Sequence, residues 1–194
     1  MKKIIILAAL LMGGFGFQNA HAQDTTETLK DNDGPNFSKL DVSPMDVALF
    51  RGENNEPLAR VLYSRPQTRD REIFGKLVPY GEVWRTGANE ATEITLYNDM
   101  SVGGKTIKKG TYTLFTIPKE KEWTIILNNS TNIWGAYDYH VEQDVARITV
   151  PVRKAQNRID ALSMGFQPIE NGAKLQIGWD DSYVEVPFKQ AGKS

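Results

Sequence analysis

Side chains that can do chemistry are concentrated in one stretch of the chain, residues 64–90. The stretch carries five basic residues, four acids and three aromatic rings, and prolines and glycines interrupt it. Long irregular connections in compact domains are often binding loops. Its densest part, residues 84–90, could stack the indole of Trp84 on a ring while Arg85 and Asn89 donate hydrogen bonds. The segment therefore predicts a site for a polar, ring-bearing ligand, with Glu90 at its end.

A structural interpretation of the same segment competes with this one. Arginines and acids in a loop often pair with one another and fix the loop to a sheet, and Trp84 would then be a core residue. Geometry separates the two interpretations. An open pocket on which Arg85, Asn89 and Glu90 converge favours a ligand site, whereas full pairing among these side chains favours a structural role.

Composition excludes several classes of protein. The chain has 194 residues, of which 40% are hydrophobic, and its 23 basic residues nearly balance its 24 acids. This balance excludes a nucleic-acid binder that works through bulk positive charge. The lack of cysteine excludes a disulfide scaffold, a thiolate zinc site and a cysteine nucleophile. No spacing matches a metal signature or implies a cofactor, and His140 alone cannot build a histidine-rich metal site.

The first 22 residues have the three parts of a secretory signal peptide. A basic start precedes an uncharged apolar run over residues 4–17, and residues 20–22 form a small-x-small cleavage pattern. The apolar run is shorter than the ~20 residues that span a bilayer. We therefore expect a mature chain that begins at Gln23, has no membrane span and is exported, periplasmic or secreted.

The rest of the chain is organised as a leader and one domain. Residues 23–36 are polar and predict a disordered leader. From residue 37 to 190, apolar and polar residues alternate repeatedly, which is typical of half-buried strands with one wet face. The pattern predicts a single all-β domain, either an antiparallel β-sandwich or a barrel-like fold, with short helical turns at most at residues 69–74 and 141–146.

Turn signals divide the predicted strands. Asn171-Gly172 is the strongest hairpin signal in the chain, and Gly103-Gly104 joins two further short runs. Residues 180–182 are predicted to separate two more strands.

Several long motifs lie within residues 63–124: YSRP at 63–66, REIFG at 71–75, LVPYG at 77–81, VWRTGANEAT at 83–92, GTYTLFTIP at 110–118 and EWT at 122–124. Together they resemble the DUF2911 family of exported bacterial proteins, which is common in Bacteroidetes. The likeness extends more loosely from about residue 41 to residue 188. It implies an exported β-domain and places six residues on motif positions, whereas Asp70 stands where we expect a glycine. The six are Arg65, Arg71, Trp84, Arg85, Asn89 and Glu90.

Three functions are compatible with these observations. The first is a non-enzymatic, envelope-associated domain that binds a polar or anionic ligand, such as a glycan, through the six motif residues. The second is a hydrolase of glycans or other envelope polymers, in which Glu90 acts with a second acid such as Asp144. The third is a structural domain that binds another protein through a sheet edge.

Overall fold

The computed structural model describes residue 35 and residues 37–192 of the chain. The described residues fall into two units that part after Lys39, and every strand lies in the second unit, Leu40–Ser194. The predicted signal peptide and its cleavage site lie outside the described residues, as does nearly all of the predicted leader.

Ten strands and one 3-10 turn, Val141–Gln143, make up the second unit. The strands are β1 (Met45–Arg51), β2 (Pro57–Ser64), β3 (Glu93–Leu96), β4 (Met100–Val102), β5 (Lys105–Ile107), β6 (Gly110–Pro118), β7 (Glu122–Asn128), β8 (Asp144–Pro151), β9 (Arg153–Ile169) and β10 (Gly172–Gln190). The 3-10 turn lies within one of the two predicted helical turns, and residues 69–74 form non-helical turns instead.

The strands form two antiparallel sheets. One sheet has six strands in the order β1-β2-β3-β6-β7-β8, and the other has four in the order β5-β4-β10-β9. The buried faces of both sheets contribute to one hydrophobic core, so the predicted all-β fold is confirmed and takes the sandwich form.

The period-two pattern decides which side chains this core contains. Leu114 of β6 and Ile125 of β7 are fully buried from one sheet, and Ile177, Val186 and Phe188 of β10 are fully buried from the other. Full burial of such a side chain stabilises the fold by about 1.5–3 kcal/mol. Since the chain has no cysteine, this core takes the place of disulfide bridges in holding the sheets together.

Two of the predicted turns are confirmed and one is wrong. Asn171 adopts a left-handed φ of 57° between β9 and β10, and Gly103 and Gly104 both have positive φ between β4 and β5. Residues 180–182, however, do not end a strand. Asp180 has a φ of 58° and the register with β9 shifts on either side of it, so β10 bulges there and continues.

A second, smaller core lies outside the main one and holds two loops. Phe115 of β6 and Ile126 of β7 are buried together with Ala91. Partly buried side chains from residues 83–91 and from residues 129–140 pack against this cluster. The small core therefore anchors both the chemically dense segment and the β7–β8 loop to the six-stranded sheet.

Within the described part of the chain, we find no helix of the length and apolarity that a membrane crossing requires.

Candidate functional site

The segment at residues 84–90, here called the site segment, borders a cavity of about 250 Å³. The apolar part of the cavity wall includes Pro66, Val78 and two indoles, those of Trp84 and Trp179. Rings and aliphatic groups of this kind contact the apolar parts of small ligands, and polar groups in the same wall fix their orientation.

Three arginines, Arg69, Arg71 and Arg85, also line this space, which we call the arginine cavity. No aspartate or glutamate is among its lining residues. Arginine remains charged in proteins, so the wall carries three positive charges without a carboxylate to neutralise them. The cavity is therefore complementary to an anion.

Trp84 forms part of the cavity wall from within the core. Its side chain is buried, and its indole N–H donates a hydrogen bond of 3.1 Å to the carbonyl of Gly87. The ring stacks on Trp179 with centroids 5.9 Å apart and meets Trp123 edge to face at 6.3 Å. Trp84 is therefore a core residue, as the structural interpretation expects, and it also lines the cavity.

Thr86 holds the site segment in an unusual backbone conformation. It has a φ of 57°, a region that β-branched residues rarely occupy, and its side chain is fully buried. The hydroxyls of Thr86 and Thr116 are hydrogen-bonded at 3.2 Å, and the Thr92 hydroxyl donates to the Thr86 carbonyl at 2.8 Å. Such strain persists only where surrounding contacts fix it, and it is found preferentially at functional sites.

Arg85 lies next to this strained residue and carries an unsatisfied donor. Its Nε–H is buried and has no acceptor among the described residues. Burial lowers the pKa of the guanidinium, and the neighbouring Tyr137 phenol opposes that shift. An unpaired buried donor typically costs about 1–3 kcal/mol, more when the group is charged.

Trp179 is the second residue of the cavity with an unsatisfied donor. It is 1% exposed, and its indole N–H has no acceptor in the described part of the chain. Within that part, the unpartnered buried side-chain atoms are this nitrogen and Arg85 Nε, and both belong to residues that line the arginine cavity. Sequence reasoning missed Trp179, since alternation in β10 indicates only that its side chain points inward.

Arg71 and Arg69 complete the positive wall in different ways. Arg71 donates to the carbonyls of Thr68, at 3.0 Å, and Gln67, at 2.6 Å, which hold its guanidinium beside the cavity. Arg69 was not among the predicted site residues. It has a φ of 47°, and the next residue, Asp70, has a φ of 56°. Asp70 therefore adopts the conformation for which a glycine is expected at this position, and aspartate is among the residues that tolerate it.

Arg65 does not line the arginine cavity. Its three guanidinium nitrogens donate to the Leu162 carbonyl at 3.1 Å, to the Asp46 carboxylate at 2.9 Å and to the Ser163 hydroxyl at 2.9 Å. Asp46 belongs to β1 and the other two partners belong to β9. Arg65 therefore ties one sheet to the other, which is a structural role.

Asn89 and Glu90 are also outside the cavity wall. Asn89 has a φ of 58° and donates to the Asp41 carboxylate at 3.2 Å. Glu90 is exposed, and its backbone forms an isolated bridge with Trp134. Among the described residues, no ion pair joins Arg85 to Glu90. The predicted convergence of Arg85, Asn89 and Glu90 is thus not found, and neither is the full pairing that the structural interpretation requires.

Asp144, the second acid of the hydrolase alternative, has structural partners. Its carboxylate accepts hydrogen bonds from the Tyr139 hydroxyl at 2.7 Å, from Arg147 at 2.8 Å and from the Asn128 amide at 2.8 Å. The side chain is 7% exposed. These contacts fix the end of the β7–β8 loop, which leaves this carboxylate poorly placed for acid–base chemistry.

Comparison with known proteins identifies the family and nothing further. No curated protein matches the chain, and no solved structure matches it. The sequence model of one family, described as "Protein of unknown function (DUF2911)", matches residues 43–188. This match spans most of the chain and nearly all of the β-sandwich, and so the chain belongs to the DUF2911 family.

Proposed function

We propose that this protein is a non-enzymatic binding domain that takes up an anionic, acceptor-rich ligand in the arginine cavity. The observation that carries the proposal is the coincidence of two features. The two residues of the described chain that carry unpartnered buried donors, Arg85 and Trp179, both line one cavity, and its wall holds three arginines and no acid.

Electrostatics supports an anion in preference to a neutral ligand. A half-buried guanidinium without a counter-ion loses hydration and gains no compensating charge, so buried charges are normally paired. Hydrogen bonds from arginine to carboxylate or phosphate are shorter and stronger than those between neutral groups. Carboxylate, phosphate and sulfate groups therefore suit this site, and an acidic glycan is one class of ligand that carries them.

Isothermal calorimetry with inorganic phosphate tests this proposal. We expect saturable binding to the wild-type protein, and Arg85→Met should weaken it about tenfold or more, because a hydrogen bond to a charged group contributes about 1.5–3 kcal/mol. Arg60→Met is the matched control, since Arg60 is exposed on β2 and does not line the cavity. Equal affinities for the two variants would contradict the proposal.

We further propose that the domain works outside the cytoplasm, in the periplasm or as a secreted protein. The support is the order of basic start, apolar run and cleavage pattern in the first 22 residues. Mass spectrometry of protein purified from the cell envelope or the medium should find a chain that begins at Gln23. A mature protein that retains Met1 would overturn this proposal.

A further inference from the structure

Two aromatic rings are displayed on the β7–β8 loop, which we call the aromatic loop (residues 129–140). The Trp134 side chain is 59% exposed and that of Tyr137 is 80% exposed. Their rings stack on each other, with centroids 5.7 Å apart and planes 13° from parallel. Large exposed aromatic rings on a rigid support are typical of binding surfaces, where they contribute much of the affinity.

The loop that carries these rings is held firmly in place. The Gly135 N–H donates to the Asn89 carbonyl at 2.9 Å, and the Ala91 N–H donates to the Ile133 carbonyl at 3.0 Å. Ile133 also packs on the small core behind the loop. Because these contacts fix the backbone on both sides of Trp134, little ordering is needed when a ligand binds.

The aromatic pair is coupled to the arginine cavity through the site segment. Asn89, which holds Gly135, lies four residues after Arg85 in the same anchored segment. The Tyr137 phenol opposes the effect of burial, which lowers the pKa of the Arg85 guanidinium. One ligand can therefore place an acidic group in the cavity and a ring on the aromatic pair.

Carboxylates near the aromatic pair indicate what kind of ring this is. Asp138 follows Tyr137 and is exposed, and the exposed Glu90 forms a backbone bridge with Trp134. Carboxylates accept hydrogen bonds from hydroxyl groups, which sugar rings offer on every side. A sugar ring thus matches the aromatic pair and the carboxylates beside it.

We propose that Trp134 and Tyr137 form a sugar-binding subsite, and that the ligand of this protein is an acidic oligosaccharide. Its carboxylate or sulfate group would occupy the arginine cavity, and an adjoining sugar ring would stack on the aromatic pair. The acidic part of this proposal rests on the proposed function. The stacking part rests on the aromatic loop alone.

Nuclear magnetic resonance of the indole N–H groups tests the two parts separately, because the four tryptophans provide four reporters. Trp179 reports on the cavity and Trp134 on the aromatic loop, while the buried Trp123 is an internal reference. Hexagalacturonate should shift the signals of both Trp134 and Trp179. Maltohexaose, which is neutral, should shift Trp134 alone and bind more weakly.

Variants then show how much of the affinity depends on the aromatic pair and how much on the arginine cavity. Trp134→Ala should weaken hexagalacturonate binding about tenfold or more, as truncation of a central interface tryptophan does. It should leave phosphate affinity within about twofold of wild type, because phosphate reaches only the cavity. Trp134→Phe should recover part of the loss, and Tyr97→Ala, which removes an exposed ring elsewhere, should have no effect.

Each outcome decides one point. Unchanged hexagalacturonate affinity in Trp134→Ala would overturn the sugar-binding subsite. Binding of neither hexagalacturonate nor a heparin hexasaccharide would overturn the acidic oligosaccharide as ligand. If a thymidine hexanucleotide binds more tightly than both oligosaccharides, the ligand is a nucleic acid and the proposed sugar is wrong. If phosphate fails to bind while maltohexaose still shifts Trp134, the proposal of an anion site in the arginine cavity is overturned and the sugar-binding subsite is supported.

Discussion

Arg65 and Arg85 lie in the same irregular stretch and on motif positions of the same family, yet their surroundings differ. Arg65 donates to three acceptors on two elements and forms an ion pair with Asp46 at 2.9 Å. Arg85 has a buried Nε–H for which the described residues offer no acceptor, and it lines a cavity together with Trp179. The first arginine completes the fold, whereas the second is the one to which our proposal gives a ligand as partner.

This contrast shows that residue type and motif position do not determine a role by themselves. A guanidinium whose three nitrogens are all bonded has less to offer a ligand, whereas a buried donor left unpaired has a cost that a ligand can offset. The following predictions test whether the residues needed for stability differ from those needed for binding, from the largest expected loss of unfolding free energy to the largest expected gain.

Arg65→Ala should have the largest effect. It removes three hydrogen bonds, among them the bonds to Leu162 of β9 and to Asp46 of β1 that tie one sheet to the other. We expect a loss of about 2–3 kcal/mol in the free energy of unfolding, measured by denaturant titration. Phosphate affinity should not change, because Arg65 does not line the cavity. A stability loss below about 0.5 kcal/mol would remove the structural role assigned to this residue.

Thr86→Val should lower stability by about 1–2 kcal/mol. The change keeps the shape of the side chain but removes the hydroxyl that bonds Thr116 in a fully buried position. Because Thr86 fixes the backbone next to Arg85, phosphate binding should weaken as well. Chemical denaturation and calorimetry on the same sample check both effects, with Thr95→Val, which alters an exposed hydroxyl, as the control. Loss of stability without any loss of binding would show that the strained backbone at Thr86 is not needed for phosphate binding.

Asp70→Gly should raise stability slightly, by about 0.5 kcal/mol. Its φ of 56° is unfavourable for an L-residue and free of penalty for glycine, although glycine also gains entropy in the unfolded chain. The contact of Asp70 with Arg158, at 3.9 Å, is exposed and contributes little. Thermal unfolding of the variant beside wild type measures the gain. A clear loss would mean that Asp70 contributes more than its backbone conformation suggests.

Arg85→Met should not lower stability and should raise the free energy of unfolding by about 1 kcal/mol. The substitution keeps the aliphatic bulk and removes a buried donor that has no acceptor among the described residues, so it relieves the cost of leaving that donor unpaired. Denaturant unfolding beside Arg65→Ala makes the comparison direct. A loss of 2 kcal/mol or more would place Arg85 in the same structural class as Arg65.

Local patterns predicted much of this fold because a half-buried strand shows alternating apolar and polar residues in its own sequence. Alternation marks β8 and β10, and Asn171 provides the positive φ of the hairpin between β9 and β10. The pattern failed at residues 180–182, where polar residues resemble a turn. There a bulge at Asp180 lets β10 continue, because its long pairing with β9 outweighs the local preference.

The site was only partly predictable for a different reason. The density of charged and aromatic residues pointed to Trp84 and Arg85, which do line the cavity. Trp179 lies far along the chain, and only the packing of the two sheets brings it to the same wall. Sequence could have drawn attention to Trp134 and Tyr137, two aromatic residues in a loop without alternation, but it contains no signal that they stack.

The different responses of Arg65 and Arg85 to a ligand can be measured in one sample. Nuclear magnetic resonance resolves the Nε–H signals of arginine side chains, and both can be followed while phosphate is added at constant ionic strength. Our account predicts that the Arg85 signal shifts along a saturable curve while the Arg65 signal, already bonded to the Leu162 carbonyl, stays in place. An Arg85 signal that does not move, or equal shifts of both signals, would contradict it.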